Sequence, residues 1–243
     1  MKRSRTAPPG FYAVEAAGLR WLAAAGGASV VEPLEATDDR IVLPRLTPVA
    51  PSPAAAESFG RALAATHRAG AAWFGAPPPG VSGSGFIGEL PLPMTDGARP
   101  WGEFYAAARL RPYASGAWSA ALEAICDRLA AGDESLTGPP EPPSRLHGDL
   151  WAGNAGRLED ATPVVYDPAS YFGDREADVA MTELFGGFAS SFYSAYADAA
   201  PLPSGYPRRR TLYNLYHVLN HLNLFGASYL LRAESMIAEL LGD

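Results

Sequence analysis

Leu146-His147-Gly148-Asp149-Leu150-Trp151-Ala152-Gly153-Asn154, followed by Val164-Val165-Tyr166-Asp167-Pro168, is the stretch on which the reading of this chain turns. It sets three oxygen-bearing side chains close together in sequence. Asp149 can accept the proton of an attacking hydroxyl. Asn154 offers a neutral carbonyl oxygen to magnesium, and Asp167 offers a carboxylate. Magnesium prefers oxygen ligands and is usually held by one or two carboxylates plus the phosphates of a substrate, so the set points to phosphoryl transfer. Residues 155–158, a polar turn at 159–162 and residues 163–166 read as strand, turn, strand, a hairpin able to return Asp167 to Asn154. Gly148 and Gly153 bracket the loop and permit backbone angles that side chains forbid. His-Gly-Asp alone would mean a turn with an Asx cap; the position of Asn154, the hairpin and Asp167-Pro168 favour chemistry.

The order aspartate, asparagine, later aspartate is that of the protein-kinase catalytic loop and its metal aspartate. The run His147 to Asn154, then Asp167-Pro-Ala-Ser-Tyr-Phe-Gly-Asp-Arg-Glu-Ala-Asp178, resembles the fructosamine kinase (ketosamine-3-kinase) family, relatives of the aminoglycoside and choline kinases within the protein-kinase-like fold. Trp151 and the run Leu212 to Gly226 carry the resemblance to this family rather than to the aminoglycoside enzymes. It extends from about Glu15 to the C-terminus. The resemblance implies an α+β, two-lobe, protein-kinase-like fold with a truncated N-lobe at 1–50 and a mainly helical C-lobe at 51–243. It implies ATP and Mg2+, with a ketosamine, free or protein-bound, as acceptor. Asp149 would be the base, Asn154 and Asp167 the magnesium ligands, and Trp151 a wall of the acceptor site. The rival expectations are a related aminoglycoside- or choline-type kinase and a catalytically impaired remnant that binds a ligand or partner.

Composition narrows the field. The chain has 243 residues, 48% hydrophobic, enough for one large domain or two small lobes. A net charge of −7 argues against a nucleic-acid surface. Cys126 is the single cysteine, so neither an intrachain disulfide nor a cysteine zinc cluster is possible. No apolar run reaches membrane-spanning length, and the basic start is interrupted by Pro8-Pro9-Gly10, Glu15 and Arg20, so a cytoplasmic protein is expected.

A helix is predicted from Phe11 to about Ala25, ending at Gly26-Gly27. By resemblance Glu15 on that helix orients a phosphate-anchoring lysine, and Lys2 is at a suitable distance before it; a solvated terminal charge is the other reading of Lys2. Only Met1 precedes Lys2, so the expected glycine-rich strand pair is missing, through a late start or a lost lid. Ser29–Val31 and Arg40–Leu43 read as short strands. By resemblance the second leads to a hinge where Leu43, Arg45 and Leu46 meet adenine; Pro44 has no N–H to donate.

Ser52-Pro53 caps a helix over 54–69 whose His67 reads as a packing residue. Residues 75–88 read as a loop; its Ser82-Gly-Ser-Gly85 lacks the strand, helix and lysine of a phosphate loop. Helices are expected at 101–110 and 117–131. Asp178 stands at the start of a helix over 177–188; the resemblance implies that an aspartate there bonds the catalytic-loop backbone, an N-cap role is also physically sensible, and His147 is given the same supporting role. Arg175 and Glu176 are open to pairing or to facing substrate. Leu212, Leu215, Leu219 and Leu222 follow helical spacing, leaving His217 and Asn220 among polar residues that line a polyol pocket or bond nearby loops. His217 and His221 lack the glutamate of a zinc helix.

Overall fold

Gly10, in the left-handed region at φ 78°, turns the chain into the alanine-rich helix α1 (Phe11–Ala23). The computed structural model describes residues 1–4, 6–47, 52–70, 72–114, 117, 120–160 and 162–242. Ahead of α1 lies β1 (Lys2–Arg3), and after it come β2 (Glu35–Ala36) and β3 (Arg40–Val42). These form an antiparallel sheet in the order β1-β3-β2, with Lys2 opposite Ile41 and Ala36 opposite Ile41 from the other side. Tyr12, Ala16 and Leu19 of α1 pack with Val31, Ile41 and Val164, which fixes the helix over the sheet.

The chain continues through α2 (Pro53–Arg68), β4 (Ser84–Ile87), β5 (Leu90–Pro93), α3 (Trp101–Tyr105), α4 (Ala120–Ala130) and α5 (Glu134–Thr137). Then follow β6 (Ser144–Leu146), β7 (Ala155–Arg157), β8 (Pro163–Val165), β9 (Tyr171–Gly173), α6 (Glu176–Leu184), α7 (Ser190–Ala199), α8 (Tyr206–Phe225) and α9 (Leu230–Leu241). The architecture is α+β, as expected. The largest core cluster joins α3, α4, α6, α8 and α9 around Leu146 and Tyr171. A second joins α2 to α7; Gly60 stands at that crossing because a Cβ there would overlap the Phe192 carbonyl. Ser52 caps α2 by accepting from Ala55 N–H at 3.3 Å. Among the described residues no helix is long and apolar enough to cross a membrane.

Several expectations are corrected. Ser29–Val31 is not a sheet strand: Val30 makes an isolated parallel bridge to Val165, in which Val31 N–H donates to the Val165 carbonyl and Val165 N–H to the Ser29 carbonyl, each at 3.0 Å. The loop read at 75–88 ends in a hairpin, β4 with β5, turned at Gly88 (φ 54°). The 101–110 helix changes pitch, and Ala106–Leu110 is a π-helical segment. The boundary drawn between residues 50 and 51 lies outside the described residues, as do two residues of the helix expected from 117; the described part is α4.

Arg175 and Glu176 do not pair with each other. Arg175 forks onto Glu141 at 2.5 and 2.8 Å. Glu176, buried, takes a bidentate bond from buried Arg209 at 2.6 and 2.7 Å, and Arg209 also donates to the carbonyls of Ser204 and Pro203. That pair ties the start of α6 to α8. Replacing Glu176 with Gln leaves a buried guanidinium without its counter-charge, so the urea midpoint should fall by the equivalent of about 3–5 kcal/mol; a change within the scatter of surface mutations would show the pair to be dispensable.

Candidate active site

The loop from His147 to Asn154 is built between paired strands. β6 delivers it and β9 returns antiparallel beside β6, with Leu146 opposite Tyr171. Gly148, at φ 81°, presses so closely on the Ala169 carbonyl that a Cβ would overlap it. The loop backbone is gripped by Asp178. Its two carboxylate oxygens accept from His147 N–H at 2.7 Å and Gly148 N–H at 2.8 Å, and His67 Nε2 stands 3.2 Å from Oδ2. His67 Nδ1 in turn meets the Tyr196 hydroxyl at 2.8 Å. Burial works to raise the Asp178 pKa, but the bond and charge of His67, with His147 and the Gly148 N–H, outweigh it and hold the carboxyl below the usual range.

Asp178 is thus not an N-cap. It lies inside the first turn of α6, whose N-cap residue, Arg175, makes no side-chain cap bond, while Asp174 just before it accepts from Glu176 N–H at 2.8 Å. His67, read from sequence as packing, is a polar strut beneath the loop; its place on an otherwise apolar helix face was the available signal. His147 Nε2 donates to the Tyr166 carbonyl at 3.1 Å and Nδ1 accepts from Asp149 N–H at 3.3 Å. That pattern requires the neutral ring with its proton on Nε2, and burial lowers the His147 pKa accordingly.

Asn154 Nδ2 donates to the Asp149 carboxylate at 2.9 Å and to the Asp149 carbonyl at 2.8 Å, which spends the amide nitrogen on the loop and leaves the carbonyl oxygen as the donor to a metal. The hairpin of β7 and β8 pairs Ala155 with Val165, and Tyr166 N–H reaches the Asn154 carbonyl at 3.0 Å, so Asp167 comes back beside Asn154. Asp167 is the one non-glycine residue with positive φ among the described residues, at 60°. An aspartate tolerates this conformation better than most, and such backbone occurs where a side chain must be aimed. Its carboxylate is 49% exposed and Oδ1 lies 2.6 Å from Lys2 Nζ.

Lys2 Nζ also meets Glu15 Oε1 at 2.8 Å. The direct Lys2–Asp167 contact had no signal in the sequence. Burial would lower the Lys2 pKa, but Asp167 and Glu15 together outweigh it and the net shift is upward. Glu15, buried on α1, is pushed up by desolvation, with Lys2 opposing and Asp167 reinforcing. Burial, then the charge of Asp167, raises Asp149 to about 7 against the Asn154 bond. Two carboxylates, Glu15 and Asp167, therefore share the Lys2 ammonium, and that of Asp149 feels its charge and that of Asp167. Such an excess of negative oxygen donors, with a neutral carbonyl between them, fits a hard divalent cation held by Asn154 and Asp167.

The other candidates lie around this centre. Leu43 and Leu46 are half-buried against the cluster of Val31, Ile41 and Val164, Arg45 is exposed, and Thr47 pairs with Arg157 on the hairpin. Trp151 is 38% exposed, lies over Gly153 and meets Phe185 edge-on at 5.9 Å. His217 Nδ1 is 4.0 Å from Asp149 Oδ1, has no hydrogen-bond partner among the described residues, and burial pushes its pKa down to about 3. Asn220 is buried and donates Nδ2 to the Tyr216 carbonyl on its own helix. Sequence reasoning did not single out Phe185.

Comparisons with known proteins agree in direction. The model of the family described as fructosamine kinase matches residues 1–243. The chain is 40% identical over 197 residues to a protein of Synechocystis named a probable ketoamine kinase, covering 75% of this chain and 61% of that protein. It is 39% identical over 154 residues to a mouse protein named ketosamine-3-kinase, covering 58% and 47%. The matches thus span between about half and three fifths of those relatives' own length. A crystal structure from Thermobifida fusca, assigned as a fructosamine-3-kinase, superposes with a TM-score of 0.84 at 37% identity, covering 98% of this chain and 83% of that one.

Asp178 generates a pH-dependent expectation. Its folded pKa is lowered, so the stability it contributes is fully present above the unfolded value of about 3.9 and is lost as pH falls through the folded value. Asp178→Asn should cost about 3–5 kcal/mol at pH 7, because buried donors lose a charged acceptor. In urea titrations the gap between variant and parent should narrow below about pH 4; a gap independent of pH would show that the grip is not electrostatic.

Proposed function

The chain belongs to the fructosamine kinase family, and on that premise we propose that it transfers the γ-phosphoryl group of ATP to a sugar hydroxyl of a ketosamine, the fructosamine or ribulosamine adduct of an amine or a protein lysine. The observation that carries this reading is the convergence of Asp149, Asn154 and Asp167 with Lys2, which bonds both Asp167 and Glu15. A base, two hard oxygen donors and an oriented ammonium in one cleft are the parts of phosphoryl transfer.

In the reaction the acceptor hydroxyl oxygen forms a bond to the γ-phosphorus while the bond from that phosphorus to the bridging oxygen breaks. The hydroxyl proton goes to Asp149 and ADP leaves. Lys2, held by Glu15, pairs with the nucleotide's phosphates. Leu43 and Leu46 supply apolar surface for the base, with the backbone at Arg45 and Leu46 in reach of its edge. Magnesium, held by Asn154 and Asp167, would offset the charge of the transferring group. Trp151 offers an aromatic face to the sugar or its cationic amine. His217, neutral and beside Asp149, offers a ring nitrogen to an acceptor hydroxyl, and Asn220 an amide nearby on the same helix. His147 and Asp178 hold the loop that carries the base. No covalent protein intermediate is needed, because positioning and charge neutralisation suffice. The removal of such adducts after phosphorylation makes deglycation the proposed purpose, and a cytoplasmic location suits it.

With Mg-ATP and a ribulosyl- or fructosyl-lysine acceptor, Asp149→Asn should lower kcat by about 10²–10⁴-fold. Lys2→Met should chiefly raise the KM for ATP. Full turnover in the Asp149 variant would remove the proposed base and with it the reading.

A further inference from the structure

Arg109, in the π-helical segment after α3, is 0% exposed. Its Nη1 donates to the carbonyls of Pro93 at 2.7 Å and Ala108 at 3.0 Å, while Nε and Nη2 have no hydrogen-bond partner among the described residues. No carboxylate among those residues pairs with it. A buried guanidinium without a counter-charge is costly, and an apolar side chain of similar volume would fill the same place at less cost. Packing alone therefore does not account for this side chain. The π-helical turn buries Ala108, Arg109 and Leu110 in succession, and single turns of this kind are frequent at functional sites.

Ring faces surround the charge. The guanidinium carbon lies 4.0 Å from the centre of the Tyr171 ring, 4.7 Å from that of Phe104 and 5.8 Å from that of Tyr216. Two of these rings reach the reacting centre. Tyr171 lies against the loop that carries Asp149, since a Cβ on Gly148 would stand 3.4 Å from its Cε1. Tyr216 is 4.8 Å from the ring of His217, whose Nδ1 is 4.0 Å from Asp149 Oδ1. Arg109 thus stands behind the acceptor side of the centre, one ring away from the loop and one ring away from His217.

We propose that Arg109 is a positioning residue for phosphoryl transfer: its unpaired charge, acting through Tyr171 and Tyr216, holds the catalytic loop and the His217 ring in register on the acceptor side of Asp149. The inference deepens the kinase reading and rests on it for what the site does. Cation–π attraction draws both rings to the same guanidinium, and a neutral side chain would pack there without that attraction. The charge also acts on His217 itself. Burial does most to disfavour its imidazolium, His221 adds to this, Asp178 opposes it and Arg109 adds again. Asp149 faces the same ring from the loop, and Tyr216 from its own helix. A neutral His217 offers a nitrogen to the acceptor hydroxyl and leaves the hydroxyl proton to Asp149.

The test contrasts Arg109→Met, which keeps the length and removes the charge, with Arg109→Lys, which keeps the charge. The urea midpoint of Arg109→Met is expected to match or exceed the parent's, because apolar atoms replace an unpaired buried cation. With Mg-ATP and ribulosyl-lysine amide, Arg109→Met should lower kcat on the order of tenfold at an unchanged KM for ATP, and Arg109→Lys should recover most of that loss. A Met variant as active as the parent, or a Lys variant as impaired as the Met variant, would overturn the inference, since packing would then account for the side chain. Nitrogen NMR of the His217 ring answers without turnover. At pH 5, where the parent ring stays neutral, a fraction of imidazolium should appear in Arg109→Met and be absent in Arg109→Lys; identical spectra of that ring in all three chains would also overturn it. The NMR contrast in a parent that transfers no phosphate would keep the role of the charge and remove the kinase reading, and equal transfer by all three chains would do the reverse.

Discussion

Everything at the centre hangs on the carboxylate of Asp178. A loop that must present Asp149 has backbone N–H groups turned inward at His147 and Gly148, where water is excluded. Both are satisfied by this one side chain at 2.7 and 2.8 Å. A buried carboxylate is itself costly, and His67 with its tie to Tyr196 makes it tolerable. The loop is therefore anchored to α6 from below and to α2 and α7 through the histidine. The largest helical contact in the second core cluster thereby becomes a support for a few loop atoms.

The upper half of the site is held by charge. Lys2 sits on the outermost strand of a small sheet, where its own backbone adds little rigidity. Its position comes from Glu15 on one side and Asp167 on the other. The cost shows in Glu15 and Asp149, both pushed above the ordinary carboxylate range by burial and by the neighbouring Asp167. The same crowding of carboxylates is the kind of environment that suits a hard cation. It also explains the strained backbone at Asp167, which aims one carboxylate at the ammonium while its carbonyl lies 3.4 Å from Asn154 Nδ2.

What could be read from sequence followed how local each feature is. The order of Asp149, Asn154 and Asp167, and the hairpin between them, depends on neighbours within the same stretch, so pattern sufficed. Ser29–Val31 was misread because its partner, Val165, is far away in the chain. The β4–β5 hairpin was hidden by Pro91 and Pro93, which weaken a strand signal and are tolerated because the two-stranded ribbon leaves their edge unpaired. For Asp178 the resemblance implied a bond to the catalytic-loop backbone while the helix start by itself suggested a cap; in the folded chain its carboxylate takes the N–H groups of His147 and Gly148 and caps nothing. Glu176 and Arg175 had their partners chosen by Arg209 and Glu141, which no spacing rule connects.

Helix α8 shows why the remaining polar residues resisted reading. One stripe of it, Leu212, Leu215, Leu219 and Leu222, is core by spacing alone. His217 is as buried as those leucines, yet burial gives it a different use. Desolvation, helped by His221, pushes its pKa down to about 3, so the ring stays neutral wherever the protein is folded near neutral pH. A charged imidazolium 4.0 Å from Asp149 would stabilise the ionised carboxylate and weaken it as a base. A neutral ring in that place offers a hydrogen-bonding nitrogen while leaving the Asp149 pKa near 7, which is where the proposed proton transfer would work best at physiological pH. The burial that makes His217 look like core is what makes it compatible with the base proposed at Asp149.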